Sequence, residues 1–292
     1  LALAQSVNNA YYTTLNRINR AAVLSTGGFY SQAETLLNEI GENNVPHQLK
    51  QYYYYTTTWL YSYWEAFCDK SEFKDYYRQK KLQFLRLTVN TTHSNYVGLY
   101  AYLSGELAYL ENPLGKDVLR HYTIAINNSP VNSRVHASAA YCIARYYREI
   151  GNMQLYEKYI IEAAISDMVC PLKENLALQE LSTYLYKKDT KYADRAARYI
   201  YCSMEDAKFY NNRLRMLEIS SILPIIATTN QEALAHKERI VRGVLAVVSF
   251  LSLVLFAMAI FGYKQNKWLV TSRREVKSQN RQLTELNEKL IA

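Results

Sequence analysis

Apolar residues recur along this chain at three- and four-residue spacing, in runs of roughly 12 to 22 residues. Val135-x-x-x-Ala139-x-x-Cys142-Ile143-x-x-Tyr146-Tyr147-x-x-Ile150 is one such run, and no stretch alternates with the period of two that a half-buried strand requires. Glycine and proline are scarce, nine and five, and they fall between the runs. Pro46, Pro113, Pro130, Pro171 and Pro224 stand where helices begin or bend, Gly41 and Gly151 where helices end. The pattern predicts an all-α fold.

The predicted helices repeat. Gly28-Phe-Tyr30-x-x-Ala33 places glycine at a turn and a small alanine where two helices approach closely, the core of a tetratricopeptide-type helical hairpin. Gly151-x-Met153-x-x-Tyr156 keeps the spacing with a bulky residue in the alanine slot, and Gly115, thirty-six residues earlier, fits as another turn. Around Lys191 and Ala193 the glycine is lost but alanine returns at Ala196. A period of about 36 to 40 residues, close to the 34 of these repeats, predicts an α-solenoid of helical hairpins over residues 1–235.

One stretch breaks the amphipathic pattern. Residues 243–263, GVLAVVSFLSLVLFAMAIFGY, carry no charge, proline or amide. At ~1.5 Å per residue such a helix spans about 30 Å, a bilayer's hydrocarbon core, so it reads as a transmembrane helix. Three basic residues lie in the twenty before it and six in the twenty after it, with Trp268 at the second interface. This asymmetry places the C-terminus in the cytoplasm and residues 1–235 outside it. It also locates the charge. Of the net +8, the segment from Lys237 onward accounts for +6, with ten basic and four acidic residues. The basic balance is therefore a topology and lipid-headgroup signal, not a nucleic-acid footprint.

Beyond the span, Leu269, Val276, Leu283 and Leu290 recur every seven residues, and the second seam is polar, with Asn280 available to pair across it. Residues 264–292 read as a short parallel coiled coil, making the protein a homodimer, against the plainer reading of a single solvated helix. The chain starts at Leu1 rather than Met, and LALAQ resembles a cleavage site; the helical pattern still runs at Ala292. Both ends are expected to continue in the gene.

Tyrosine is the compositional oddity, twenty-eight residues, densest in Gln51–Trp64, QYYYYTTTWLYSYW. Two readings stand. Phenols pad the seams between helices, or Tyr52, Tyr53, Tyr54, Tyr55, Trp59 and Tyr63 form a concave aromatic wall that binds a protein, small-molecule or glycan ligand. Catalytic constellations are not found. The five histidines lack metal-ligand spacing, and there is no P-loop, dinucleotide fingerprint or G-x-S-x-G elbow. Cys68, Cys142, Cys170 and Cys202 form no Cys-x-x-Cys pair and sit in apolar helical settings, which favours free buried thiols over disulfides. No enzyme, metal or cofactor is expected. Glu205–Asp206 and the polar stretch DAKFYNNRLR (206–215) read as solvated or salt-bridged helix faces.

Several stretches resemble a Bacteroidetes family of membrane-anchored regulators known as a domain of unknown function. They are YYYTTTWLYSYWEAFCD (53–69), AAISDMVCPLKENLAL (163–178), AARYIYCSMEDAKFYNNRLR (196–215), EISSILPII (218–226) and NRQLTELNEKL (280–290). The departure from that family's pattern is at Lys187–Lys191, where a turn glycine would stand. The resemblance implies a periplasmic tetratricopeptide-type domain, one span, a coiled coil and, in longer members, a cytoplasmic LuxR-type helix-turn-helix. Nucleic acid would then be met only through a part beyond Ala292. The expected function is the sensor and anchor of a single-pass transcriptional regulator. The sensor half of a histidine kinase and a membrane scaffold are the alternatives, and the codons downstream would separate the three.

Overall fold

Tyr30, Ala33, Leu37 and Ile40 fall on one face of an eleven-residue helix and are buried together. The computed structural model describes residues 9–68, 72–170 and 176–291, the side chains of residues 190 and 288–291 excepted. Leu1–Gln5 and Pro171 lie outside them, as does the side chain of Leu290. The described residues form eleven α-helices, two single 3-10 turns and no strand. In order they are α1 (Ala10–Thr26), α2 (Tyr30–Ile40), α3 (His47–Phe67), α4 (Lys74–Thr91), α5 (Val97–Glu111), α6 (Lys116–Asn127), α7 (Arg134–Glu149), α8 (Met153–Val169), α9 (Leu176–Lys188), α10 (Ala193–Phe209) and α11 (Arg213–Ile291). They fall into two units, Leu1–Asn230 and Gln231–Ala292.

In the first unit the helices pair as five antiparallel hairpins, α1/α2 through α9/α10, and first helices of successive hairpins also meet, α1 on α3 and α5 on α7. Side-chain caps start several of them. Asn9 Oδ1 accepts the Tyr12 N–H at 3.1 Å, Ser133 Oγ that of His136 at 3.3 Å, and Asn152 Oδ1 that of Leu155 at 3.1 Å. Gly28 and Gly151 turn their hairpins at φ +80° and +78°, a backbone region costly for any residue with a Cβ. Ala33 and Ala196 are fully buried, as the repeat requires. Gly115 does stand at a hairpin turn, but at φ −62° and two residues late; Val118, buried on α6, takes the close-packing slot there. Where glycine is missing before Ala196, Asp189 supplies the turn. Its Oδ1 accepts the Lys191 N–H at 2.9 Å and its carbonyl the Tyr192 N–H at 3.0 Å.

Two apolar clusters fill this unit. One joins Ile18, Ala33, Leu37, Tyr53, Tyr54 and Leu60 of the first hairpins with Leu214 at the start of α11. The other runs from Leu85 through Tyr122, Ile143, Ile160 and Ile200 to Ile219 and Ile226. Leu214 reaches the first cluster because the turn before it packs on the first hairpin turn: Arg213 lies 4.0 Å over the Phe29 ring and against Gly28. The repeat unit is thus closed end to end. Its last helix also starts earlier than the sequence suggests. A helix from about Gln231 is expected, whereas α11 begins at Arg213 and carries Pro224 inside it. Pro224 removes one backbone donor, and the Thr228 and Thr229 hydroxyls bond back to the Pro224 and Ile225 carbonyls beside it.

In the second unit, α11 holds one window of mean hydropathy 2.8, none of it buried, long and apolar enough to cross a membrane. Leu269, Val276, Asn280 and Leu283 are exposed along it, as are nearly all their neighbours on this helix.

Candidate functional site

The tyrosine-rich helix α3 serves both readings at once, because its consecutive side chains point to different sides. Tyr53 and Tyr54 are only 4% exposed and belong to the core, so they leave the candidate binding surface. The Tyr53 hydroxyl donates to the Leu37 carbonyl at 3.3 Å and that of Tyr54 to Glu42 at 2.6 Å. Burial first, and Glu42 beside it, push the Tyr54 phenol up to about 12. Tyr52, Tyr55, Trp59 and Tyr63 instead line one cavity of about 550 Å³, within the range of small-molecule sites.

That cavity is walled by α1 (Asn19, Val23), α3, Arg134 at the start of α7, and Tyr210 and Asn212 from the turn between α10 and α11. Its aromatic face is fixed by neighbours. Trp59 stacks on Tyr102 with centroids 6.4 Å apart and planes at 8°, and Tyr55 meets its edge at 5.9 Å. The Arg134 guanidinium sits 5.7 Å over the Trp59 ring and donates to the Tyr63 hydroxyl at 3.1 Å. Tyr52 donates to Asn19 Oδ1 at 2.8 Å; burial pushes its phenol up, so it stays protonated. The Trp59 indole N–H is buried without a hydrogen-bond acceptor among the described residues. Flat apolar faces with a few oriented polar groups can hold a ring-shaped ligand by stacking and fix its orientation by hydrogen bonds.

Asn19, Arg134, Tyr210 and Asn212 escape the sequence reading. Asn211 was the available signal for the last two, since its φ of +50° is one that asparagine tolerates better than other side chains. The stretch 206–215 is therefore more than a salt-bridged face. Its centre is a turn that faces the cavity.

Five other tyrosines donate to glutamates, four of them between successive hairpins and Tyr122 within its own. The bonds are Tyr61 to Glu34 at 2.8 Å, Tyr109 to Glu149 at 3.0 Å, Tyr122 to Glu106 at 2.7 Å, Tyr141 to Glu180 at 2.6 Å and Tyr184 to Glu157 at 2.9 Å. Glu106 is the deepest of these carboxylates. It also accepts from the Cys142 thiol at 3.2 Å and lies 3.8 Å from Arg145. Burial opposes its ionisation, but Lys81, Arg145 and the two hydrogen bonds outweigh that and hold it below the usual carboxylate range. Burial pushes the Cys142 thiol up, which makes it inert, and the described residues contain no disulfide. Among the described residues, no three His, Cys, Asp or Glu side chains gather as a metal site.

Five stacked helical hairpins, two of them with a fully buried alanine, Ala33 or Ala196, in the tight slot, define a tetratricopeptide-type α-solenoid. In this repeat fold the stacked helices build extended binding surfaces. The chain belongs to the SusR N-terminal TPR domain family, whose family model matches residues 1–221. No curated protein and no solved structure matches it.

Proposed function

We propose that this chain is the sensing and anchoring part of a single-pass membrane transcriptional regulator. The repeat unit binds a small ligand, such as a sugar or an aromatic peptide side chain, outside the cytoplasm. Residues 243–263 cross the membrane, and the tail from 264 pairs with that of a second copy. The observation that carries the reading is the aromatic cavity, because the turn leading into α11 forms part of its wall. A ligand seated against Tyr210 and Asn212 changes the energy of the turn from which the membrane-directed helix departs, and a differential of this kind is what shifts a two-state equilibrium.

Tyr52→Ala and Tyr55→Ala test the cavity. Each is expected to weaken ligand capture about tenfold, one lost aromatic stack, while far-ultraviolet circular dichroism stays unchanged. Lost helicity would return these rings to a padding role. A phosphatase reporter fused after Thr229 is expected to be active and one after Ala292 silent, and the opposite pattern would overturn both the orientation and the sensor reading.

For the tail, Leu283→Cys is expected to crosslink between copies in membranes and Glu285→Cys poorly. Two chains inserted alike leave the membrane on the same face, so their tails run parallel, and a seam of about three heptads is weak unless the membrane tethers it. Equal crosslinking at both positions, or at neither, would leave a lone juxtamembrane helix.

A further inference from the structure

A second hollow in the repeat unit, of about 640 Å³, shares Trp59 and Tyr63 with the first, and its wall mixes charged side chains with apolar ones such as Leu110 and Pro113. Its carboxylates already have partners. Glu106 takes the Tyr122 hydroxyl and Cys142 thiol, Glu65 takes Lys81 at 3.4 Å, Glu180 takes Arg148 at 2.7 Å and Glu218 takes Arg215 at 2.6 Å. The guanidinium of Arg145 is different. Its Nε and Nη2, the two groups that make the side-on fork, have no hydrogen-bond acceptor among the described residues. Glu106 Oε1 stands 3.8 Å off, close enough for charge but beyond hydrogen-bond reach. The Tyr109 ring lies 3.9 Å beneath and fixes the plane of the fork.

Two further features give the ligand its chemistry. Lys74, Arg78 and Lys81 follow one another at four- and three-residue spacing on α4, so one row of the wall is cationic. Gln179 spends its amide N–H on Glu218 at 3.4 Å, and its Oε1 is buried without a donor among the described residues. A side-on fork matches the two parallel oxygens of a carboxylate, and a lone amide oxygen matches a hydroxyl or ammonium donor on the same molecule. We propose that this second cavity binds a small ligand bearing a carboxylate and a neighbouring hydrogen-bond donor, seated on the side-on edge of Arg145. Sugar acids and amino acids share that chemistry. The site does not depend on the aromatic cavity being occupied.

Calorimetric titration of the full chain in detergent micelles tests this with two matched pairs, D-glucuronate against D-glucose and L-glutamate against its diamide, in which both carboxylates are replaced by amides. At least one acid is expected to bind about tenfold or more tighter than its counterpart that lacks a carboxylate. Glucuronate alone identifies a sugar acid, glutamate alone an amino acid, and both together the carboxylate as the recognised group. Arg145→Lys keeps the charge beside Glu106 but loses the fork, so it is expected to weaken that binding about tenfold in protein that still unfolds cooperatively. Arg78→Glu, at an exposed position on the cationic row, is expected to weaken it similarly whether or not the first variant folds. Tyr55→Ala, confined to the first cavity, should leave it unchanged, which separates this site from the aromatic one. Equal affinity within both pairs, no binding of either acid, or unchanged affinity in Arg78→Glu would overturn the proposal and leave Arg145 as the internal counter-ion of Glu106 only.

Discussion

Glu106→Gln is expected to destabilise the repeat unit by about 3–5 kcal/mol at neutral pH, the range for removing one partner of a buried ion pair. The reason is what remains. Arg145 is held 3.8 Å from Glu106, and its charge stays in place over the Tyr109 ring when the carboxylate is gone. Tyr122, fully buried, and Cys142 meanwhile lose a charged acceptor for a neutral one. Urea unfolding followed through Trp59 and Trp64 fluorescence measures the loss. Acid provides the control. Because the folded carboxyl is held below its ordinary value of 4.5, its contribution is complete above that pH and is lost as pH falls through the lowered folded value. The gap between the native chain and Glu106→Gln should therefore stay constant from neutral pH down to about 4.5 and close below it. A gap that persists unchanged in strong acid would mean the glutamine harms the fold through shape rather than charge.

Ala33→Leu is expected to cost about 1–3 kcal/mol by overpacking. Ala33 has no exposed surface on α2, and Tyr30 and Leu37 flank it in the same cluster. Tyr30 is itself stacked on Trp64 at 5.7 Å, so the first hairpin cannot open without disturbing the second. Thermal unfolding of the full chain in micelles checks this. An unchanged midpoint would place the hairpin contact elsewhere on α2.

Helix class and repeat were legible in the sequence because both rest on local spacing. The glycines at 28 and 151 and the alanines at 33 and 196 could be recognised, since a turn and a tight slot each admit few residue types. What stayed hidden depended on partners far away in sequence. Gly98 and Gly105 lie inside α5 and resemble weak helix positions, yet a Cβ on Gly98 would stand 2.7 Å from the Asn128 carbonyl oxygen and one on Gly105 2.7 Å from the Tyr122 ring. Helical spacing shows that Tyr52–Tyr55 point to different sides, but not which side meets a neighbour; Tyr53 and Tyr54 proved to be core. Arg134, Tyr210 and Asn212 belong to no motif. Tyr210 and Asn212 share a cavity with α3 because the turn before α11 packs on the first hairpin, and Arg134 because α7 starts beside α3.

The packing of that turn on the first hairpin has a consequence for how the chain acquires its structure. Solenoid repeats ordinarily touch only their neighbours, so each hairpin can settle as soon as the next is made, and the ends can fray independently. Here Leu214 sits in the first hairpins' apolar cluster and Arg213 covers Phe29. The α1/α2 hairpin is synthesised before the other four, yet it keeps apolar surface uncovered until residues past 210 arrive. Closure of this kind raises the sequence separation of the stabilising contacts, which slows folding. In return, opening at either end must break the same clasp, so the repeats gain a cooperativity that an open stack lacks.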